Sequence, residues 1–261
     1  MKDVQNLKDD RNMAIDRVGV KGIKYPITVL DRANKIQHTT ADINMFVDLP
    51  HQYKGTHMSR FIEMLHVFRN KVSLKSISMI LEEMKKQLEA KSAHIEIRFP
   101  YFIEKKAPVT GASGLMDYKC GIIATSNGIN ETDILVEIRV PVTSVCPCSK
   151  EISRHGAHNQ RGEVSVSVRF KEFFWMEDLI SLVEQSASCE VYSILKRSDE
   201  KAVTEKAYEN PKFVEDIVRD VALKLEENGN FPWYAVSVEN FESIHNHSAY
   251  AYICSDKNQF A

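Results

Sequence analysis

Residues 163–170 read EVSVSVRF. Val164, Val166 and Val168 alternate with polar neighbours, and a period of two places all three on one face of a β-strand. Working back from this strand, residues 144–164 (SVCPCSKEISRHGAHNQRGEV) read as a long loop. Before the loop, Leu135, Val136, Ile138 and Val140 mark another strand, running to Ser144. Beyond the EVSVSVRF strand, helical periodicity predicts helices over roughly Glu177–Arg197 and Pro211–Asn228. In the second, Asn210 is the expected N-cap and Pro211 the first helical residue, with Val214, Ile217, Val218, Val221 and Leu225 on one face. WYAVSVENFES and SAYAYIC then read as two closing strands.

The first half has the same order of elements. KYPITVLDRANKIQHTTADINMFVDLP reads as two extended runs around an Asp31–Asn34 turn. A helix is expected to open at Ser59, and a second covers LKSISMILEEMKKQLEAK, where Ile77, Ile80, Leu81, Met84 and Leu88 recur at helical spacing. Two strand-like segments follow, AHIEIRFPYFIEKKAPV and GLMDYKCGIIATSNG. The fold class expected is therefore α+β, as two tandem ββααββ modules at residues 21–128 and 129–261 after a loose arm at 1–20. Each module would be an antiparallel sheet with two helices on one face. Assembly into barrels would remove the exposed sheet edges.

Composition narrows the function classes. Hydrophobic residues make up 43% and charged residues 27%, which excludes disorder for the bulk of the chain. A formal net charge of −2 excludes a whole-protein attraction to nucleic acid or to an anionic membrane surface. The N-terminal stretch lacks the apolar core of a secretion signal, and no apolar run reaches bilayer-spanning length. A cytoplasmic location is expected, with Cys120, Cys146, Cys148, Cys189 and Cys254 as free thiols.

The chemistry-bearing residues concentrate in the 144–164 loop. It holds Cys146, Cys148, His155 and His158, and thiolate and imidazole are both ligands for zinc or another borderline divalent metal. Glu242, His245 and His247 lie near the last turn and would converge on that loop. Glu200, expected just past a helix end, reads first as a solvated loop charge, and Glu215, in the first turn of the next helix, could simply oppose the helix dipole and pair with Arg219; the pattern alone promotes neither to the site. Lys150, Arg154, Arg161, Lys196, Arg197, Lys201 and Lys206 flank the loop and would suit a polyphosphate. Aromatic interleaving of the kind that binds single-stranded nucleic acid is missing.

Taken together, SVCPCSKEIS, GAHNQRGEV, KFVED, FESIHNHSAYA and the earlier GTHMSRFIEML resemble the type IB GTP cyclohydrolases, prokaryotic enzymes of the tunnelling fold. The resemblance runs from about residue 20 to the C-terminus. It implies conversion of GTP and water to 7,8-dihydroneopterin triphosphate and formate, the entry step of folate synthesis. It also implies a homotetramer with active sites at subunit interfaces, and one divalent metal ion per site: zinc, manganese or ferrous iron. Carried over by position, Cys146, His158, Glu200 and His245 match the metal-binding residues, and Cys148 and Glu215 match positions implicated in catalysis. Cys146 counts with the catalytic set through the metal. Glu242 matches the carboxylate that grips the purine edge, and Arg161 and Lys150 are candidates for the triphosphate.

Two other readings compete. A nitrile reductase of the same fold would use a cysteine nucleophile and NADPH, and would have no need of the imidazoles. A non-catalytic purine-binding module would use zinc as a closed structural staple, with four protein ligands and no open position.

Overall fold

Alternation of apolar and polar side chains builds the first hairpin. The computed structural model describes residues 5, 7, 9–68, 74–128 and 132–256. In it, β1 (Ile15–Asp31) pairs antiparallel with β2 (Lys35–Leu49). The Asp31 carboxylate closes the turn by accepting from the Asn34 N–H at 2.6 Å and the Gln37 amide at 2.9 Å. Ile43, Met45 and Val47 are fully buried and share one face of β2. α1 (Met58–Phe68) and α2 (Leu74–Leu88) follow. Phe61, Met64 and Leu65 on α1, and Ile77, Ile80, Leu81 and Met84 on α2, are the buried stripe that helical periodicity requires. Ser59 lies inside α1 rather than capping it.

β3 (Ala93–Lys106), β4 (Ser113–Ser126) and β5 (Thr132–Val145) come next. α3 (Pro147–Ile152), β6 (Asn159–Arg169), α4 (Met176–Glu184), β7 (Cys189–Glu190), α5 (Arg197–Glu209) and α6 (Val214–Asn228) follow in turn. β8 (Trp233–Asn240) and β9 (Ala249–Cys254) complete the order. Contacts divide the chain into two compact units, residues 1–100 with 121–136, and residues 101–120 with 137–261. In the first, α2 packs on β2. In the second, α6 packs on β8 and β9 through Ile217, Val218, Val221 and Leu225.

This architecture corrects the expectation of two tandem ββααββ tunnelling-fold modules that assemble into barrels. Among the described residues the strands form one nine-stranded sheet in the order β1-β2-β3-β4-β5-β6-β8-β9, with β7 added beside β5. The second half does not repeat the first. The stretch Glu177–Arg197, expected as one helix, is α4, then β7, then the start of α5. The physical reason is local. The apolar stripe Leu179, Ile180 and Val183 stops at Glu184, and Ser186–Cys189 turns inward as a buried segment pairing with Thr143. α6 also starts later than expected, at Val214. Asn210 caps the C-terminus of α5 instead, while the Asp216 carboxylate accepts from the Phe213 N–H at 2.9 Å. The expected arm includes residues 1–4, 6 and 8, and the expected module boundary adjoins 129–131; all of these lie outside the described residues. β1 already begins at Ile15. No helix among the described residues is long and apolar enough to cross a membrane.

The α6 stripe gives a direct test of what holds the second unit. Leu225 is 0% exposed and Leu223 is 55% exposed on the same helix. Leu225→Ala is expected to lower unfolding free energy by about 2–5 kcal/mol in urea titration. Leu223→Ala should stay within about 0.5 kcal/mol of the parent.

Candidate active site

Three strand ends of the second unit meet where the apolar alternation runs out. On β5, Val140 and Val142 are followed at the next inward position by Ser144. On β8, Val236 and Val238 are followed by Asn240; on β6, read towards its start, Val164 is followed by Gly162 and then Gln160. The register pairs Gly162 with Asn240. Ser144, Gln160 and Asn240 are all buried, and the two side-chain amides converge on one hydroxyl. Gln160 Nε2 donates to Ser144 Oγ at 2.7 Å, and Asn240 Nδ2 donates to it at 2.8 Å. Asn240 Oδ1 is buried without a hydrogen-bond partner among the described residues. Such an orphan acceptor costs about 1–3 kcal/mol. It lies against Gly162, where a Cβ would stand only 2.5 Å away.

The candidate residues emerge from these ends. Cys146 follows β5 and is the N-cap of α3, with Pro147 as the first helical residue. Its Sγ accepts from the Ser149 N–H at 3.4 Å. The Cys146 N–H donates to the His158 carbonyl at 3.2 Å, and the His158 N–H donates to Ser149 Oγ at 3.1 Å. The loop from Cys146 to His158 is thus closed on itself by main-chain and hydroxyl bonds. His158 Nδ1 lies 2.9 Å from Gln160 Oε1 and 3.9 Å from the Glu242 carboxylate. Both side chains are mostly shielded, 15% and 14% exposed.

An apolar cluster lies beneath. Val145, Cys189 and Ala207 are buried together, with Ala157 and Val203 packed against them. It joins both ends of the loop, at Val145 and Ala157, to α5. Burial, with Glu190 beside it, pushes the Cys189 thiol up to about 11, which disfavours the thiolate form. α5 is further anchored by Asp199, a fully buried carboxylate at its first turn. Asp199 accepts from the N–H groups of Val109 and Thr110 at 2.8 Å each, from the Thr110 hydroxyl at 2.6 Å and from the Lys196 N–H at 2.9 Å. Burial opposes its ionisation, but these donors outweigh burial and hold the carboxyl well below the usual carboxylate range.

The structure brings some expected site residues together and not others. Cys146 is tied to His158 through the main chain, and the His158 ring lies beside Glu242, the three residues coming from two loops. Glu200 lies in the first turn of α5, not past a helix end, and is exposed. Glu215, in the first turn of α6, is exposed, as are Cys148, Arg161 and His245. The His245 and His247 rings stack at 5.0 Å and 16°, so they form a pair in the β8–β9 turn without a strand to align them. Lys150 is committed within the chain: its Nζ donates to the Tyr208 carbonyl at 2.5 Å and sits 4.3 Å over the Tyr208 ring. Among the described residues, no three or more His, Cys, Asp or Glu side chains gather as a preformed metal cage. Gln160, Ser144, Asn240 and Asp199 were missed by reading the sequence for reactive groups. For the first three a signal existed, namely a polar residue at the next inward position of an apolar strand face.

Solved structures match this fold. An engineered hyper-thermostable uricase covers 93% of the chain and 92% of its own length, with a TM-score of 0.54 at 9% identity. A hyperthermostable mutant of the Bacillus sp. TB-90 urate oxidase covers 94% and 99%, with a TM-score of 0.52 at 8% identity. At that identity the likeness defines a fold: this is a chain of the urate oxidase fold, carrying a thiol, an imidazole and a carboxylate at one end of three strands. Sequence narrows it further. The model of the family described as type I GTP cyclohydrolase folE2 matches residues 1–251. GTP cyclohydrolase FolE2 of Desulfosudis oleivorans is 62% identical over 253 residues, 97% of each chain. The protein of that name from Syntrophus aciditrophicus is 62% identical over 253 residues, 97% of this chain and 99% of its own. That of Geobacter sulfurreducens is 56% identical over 260 residues, 99% and 100%. The chain belongs to the type I GTP cyclohydrolase FolE2 family of enzymes.

Asp199 carries a pH signature. Its folded pKa is depressed, so the stability it contributes is present above the unfolded value of about 3.9 and is lost as pH falls further. Asp199→Asn is expected to be less stable than the parent at pH 7 in urea titration, and the gap should narrow steadily below about pH 4.

Proposed function

We propose that the protein is a GTP cyclohydrolase I, converting GTP and water to 7,8-dihydroneopterin triphosphate and formate at the start of folate synthesis. The observation that supports this reading is the main-chain bond tying Cys146 to His158, with the Glu242 carboxylate beside the His158 ring, in a chain whose relatives are named GTP cyclohydrolase FolE2. Hydrolysis of the guanine imidazole ring needs water delivered to C8, proton transfer during ring opening, and a grip on the far edge of the purine.

The donor set fits a divalent metal of borderline softness, zinc, manganese or ferrous iron. Cys146 offers a thiolate, whose Sγ accepts only a long bond, from the Ser149 N–H, among the described residues. The imidazole of His158 is engaged at Nδ1 by Gln160, which leaves Nε2 as the ligating nitrogen. Glu200 and His245 are proposed to complete the shell, although in one chain they stand outside this group. When bound, such a metal lowers the pKa of coordinated water towards neutrality and so supplies the nucleophile.

The chain's own residues do the rest. A carboxylate at Glu242 accepts paired hydrogen bonds from guanine N1–H and the 2-amino group, which orients the base. Cys148 and Glu215, both exposed, are proposed as the groups that move protons while the ring opens. Arg161, exposed beside the strand ends, is the leading candidate for the triphosphate. Lys150 is second, because reaching a phosphate requires release of the Tyr208 carbonyl. A homotetramer with its sites at subunit interfaces would place further groups around these exposed side chains.

Incubation of the metal-loaded protein with GTP tests the reading. Formate and a fluorescent oxidised pterin are the expected products. Absence of turnover with zinc, manganese and ferrous iron alike would overturn it. Cys146→Ala and His245→Ala are each expected to lose metal and activity together, measured by metal analysis and formate release; full metal occupancy in either removes that residue from the ligand set. Glu242→Ala is expected to keep its metal and bind GTP about ten-fold or more weakly in equilibrium titration, the loss of at least one charge-assisted hydrogen bond. Unchanged binding takes Glu242 out of the site.

A further inference from the structure

The buried amides behind His158 have no place in the reaction as written, yet their arrangement determines which nitrogen of that ring is available. Ser144 Oγ accepts from Gln160 Nε2 at 2.7 Å and from Asn240 Nδ2 at 2.8 Å, filling both of its lone pairs. With its nitrogen turned inward to Ser144, Gln160 presents only its oxygen to the imidazole, 2.9 Å from Nδ1. A carbonyl oxygen can only accept, so this orientation of the Gln160 amide calls for the ring proton on Nδ1. The Nε2 lone pair is then free. Asn240 is itself held in place: its Oδ1 lies against Gly162, which pairs with it across β6 and β8, and any side chain at 162 would displace it.

We infer that Gln160, backed by Ser144 and Asn240, is a positioning residue that fixes His158 as the Nδ1–H tautomer and so presents Nε2 for metal ligation. The inference deepens the cyclohydrolase reading and rests on it for the identity of the ligand. The relay has a second consequence. The Glu242 carboxylate, 3.9 Å from the same Nδ1, is too far to take that proton while Gln160 holds it. Gln160 therefore also keeps Glu242 from pairing with the imidazole and leaves it free for a base edge. Carboxylates and carbonyls commonly orient metal-bound histidines; here a buried side-chain amide does so, itself oriented from two neighbouring strands.

The experiment uses the full-length protein and two readouts other than turnover. Long-range ¹H–¹⁵N spectra of metal-free, ¹⁵N-histidine-labelled protein report the tautomer of His158, assigned by difference from His158→Asn. Cobalt(II) titration, followed by its thiolate charge-transfer band, reports metal affinity. The parent is expected to show the Nδ1–H tautomer. Gln160→Leu, close in shape but without an acceptor, is expected to lose that preference and to bind cobalt about 10–100-fold more weakly. Gln160→Glu, which still accepts from Nδ1–H and can take a hydrogen from Ser144, is expected to restore both. Should Gln160→Leu fail to fold, Ser144→Ala carries the same two readouts, with a loss of several-fold. A Leu variant that keeps the Nδ1–H tautomer and the parent's cobalt affinity overturns the inference while leaving the cyclohydrolase reading intact. A parent that shows the Nδ1–H tautomer, lost in Gln160→Leu, yet binds no cobalt and turns over no GTP does the reverse: the relay stands and the metal reading falls.

Discussion

The hydrogen bond from the Cys146 N–H to the His158 carbonyl, 3.2 Å long, closes the loop on which the proposed chemistry rests. Without it, a thiol at the end of β5 and an imidazole at the start of β6 would belong to a long segment free to open. With it, the two flank a short helix whose N-terminus the thiol caps. The bond depends on the sheet. β6 pairs with β8 in a register that sets Gly162 opposite Asn240, and that register carries Glu242, two residues beyond Asn240, to the His158 side of the strand ends. A slip of one residue would turn every side chain on β6 to the opposite face and dissolve the arrangement.

The layers beneath the loop divide the work. The apolar cluster of Val145, Cys189 and Ala207 anchors the loop to α5 without direction. Asp199 adds direction, joining the first turn of α5 to the Val109–Thr110 segment through three donors while a fourth, the Lys196 N–H, closes the helix start. The polar relay of Ser144, Gln160 and Asn240 adds orientation at the level of single atoms. Urate oxidases share this fold at 8–9% identity, so the scaffold alone does not dictate what stands at the strand ends.

Much of this was legible in the sequence where a strong period met a clear terminator. The alternation in EVSVSVRF, the turn at Asp31–Asn34 and the stripe on α2 are such places, because burial of one face enforces the pattern. The single nine-stranded sheet was not legible, since alternation identifies strands but not their neighbours. α5 was missed because its sequence is polar almost throughout, with only Asp199 and Ala207 buried. The helix is held by tertiary contacts at its start and on one small face, which leave little periodicity to read. In the site, the thiols and imidazoles stood out by type, whereas Gln160 and Asn240 did not, because an amide becomes informative only when its burial is known.

The account turns on whether a metal and a purine meet at these strand ends. The most direct measurement is a crystal structure of the metal-loaded protein with a guanine nucleotide, with diffraction collected across the metal's absorption edge. The account predicts an anomalous peak about 2.3 Å from Cys146 Sγ and about 2.1 Å from His158 Nε2, distances expected for zinc. It also predicts the guanine N1 and 2-amino edge against Glu242. A peak on Cys148, ligation through His158 Nδ1, or a base lying away from Glu242 would contradict it.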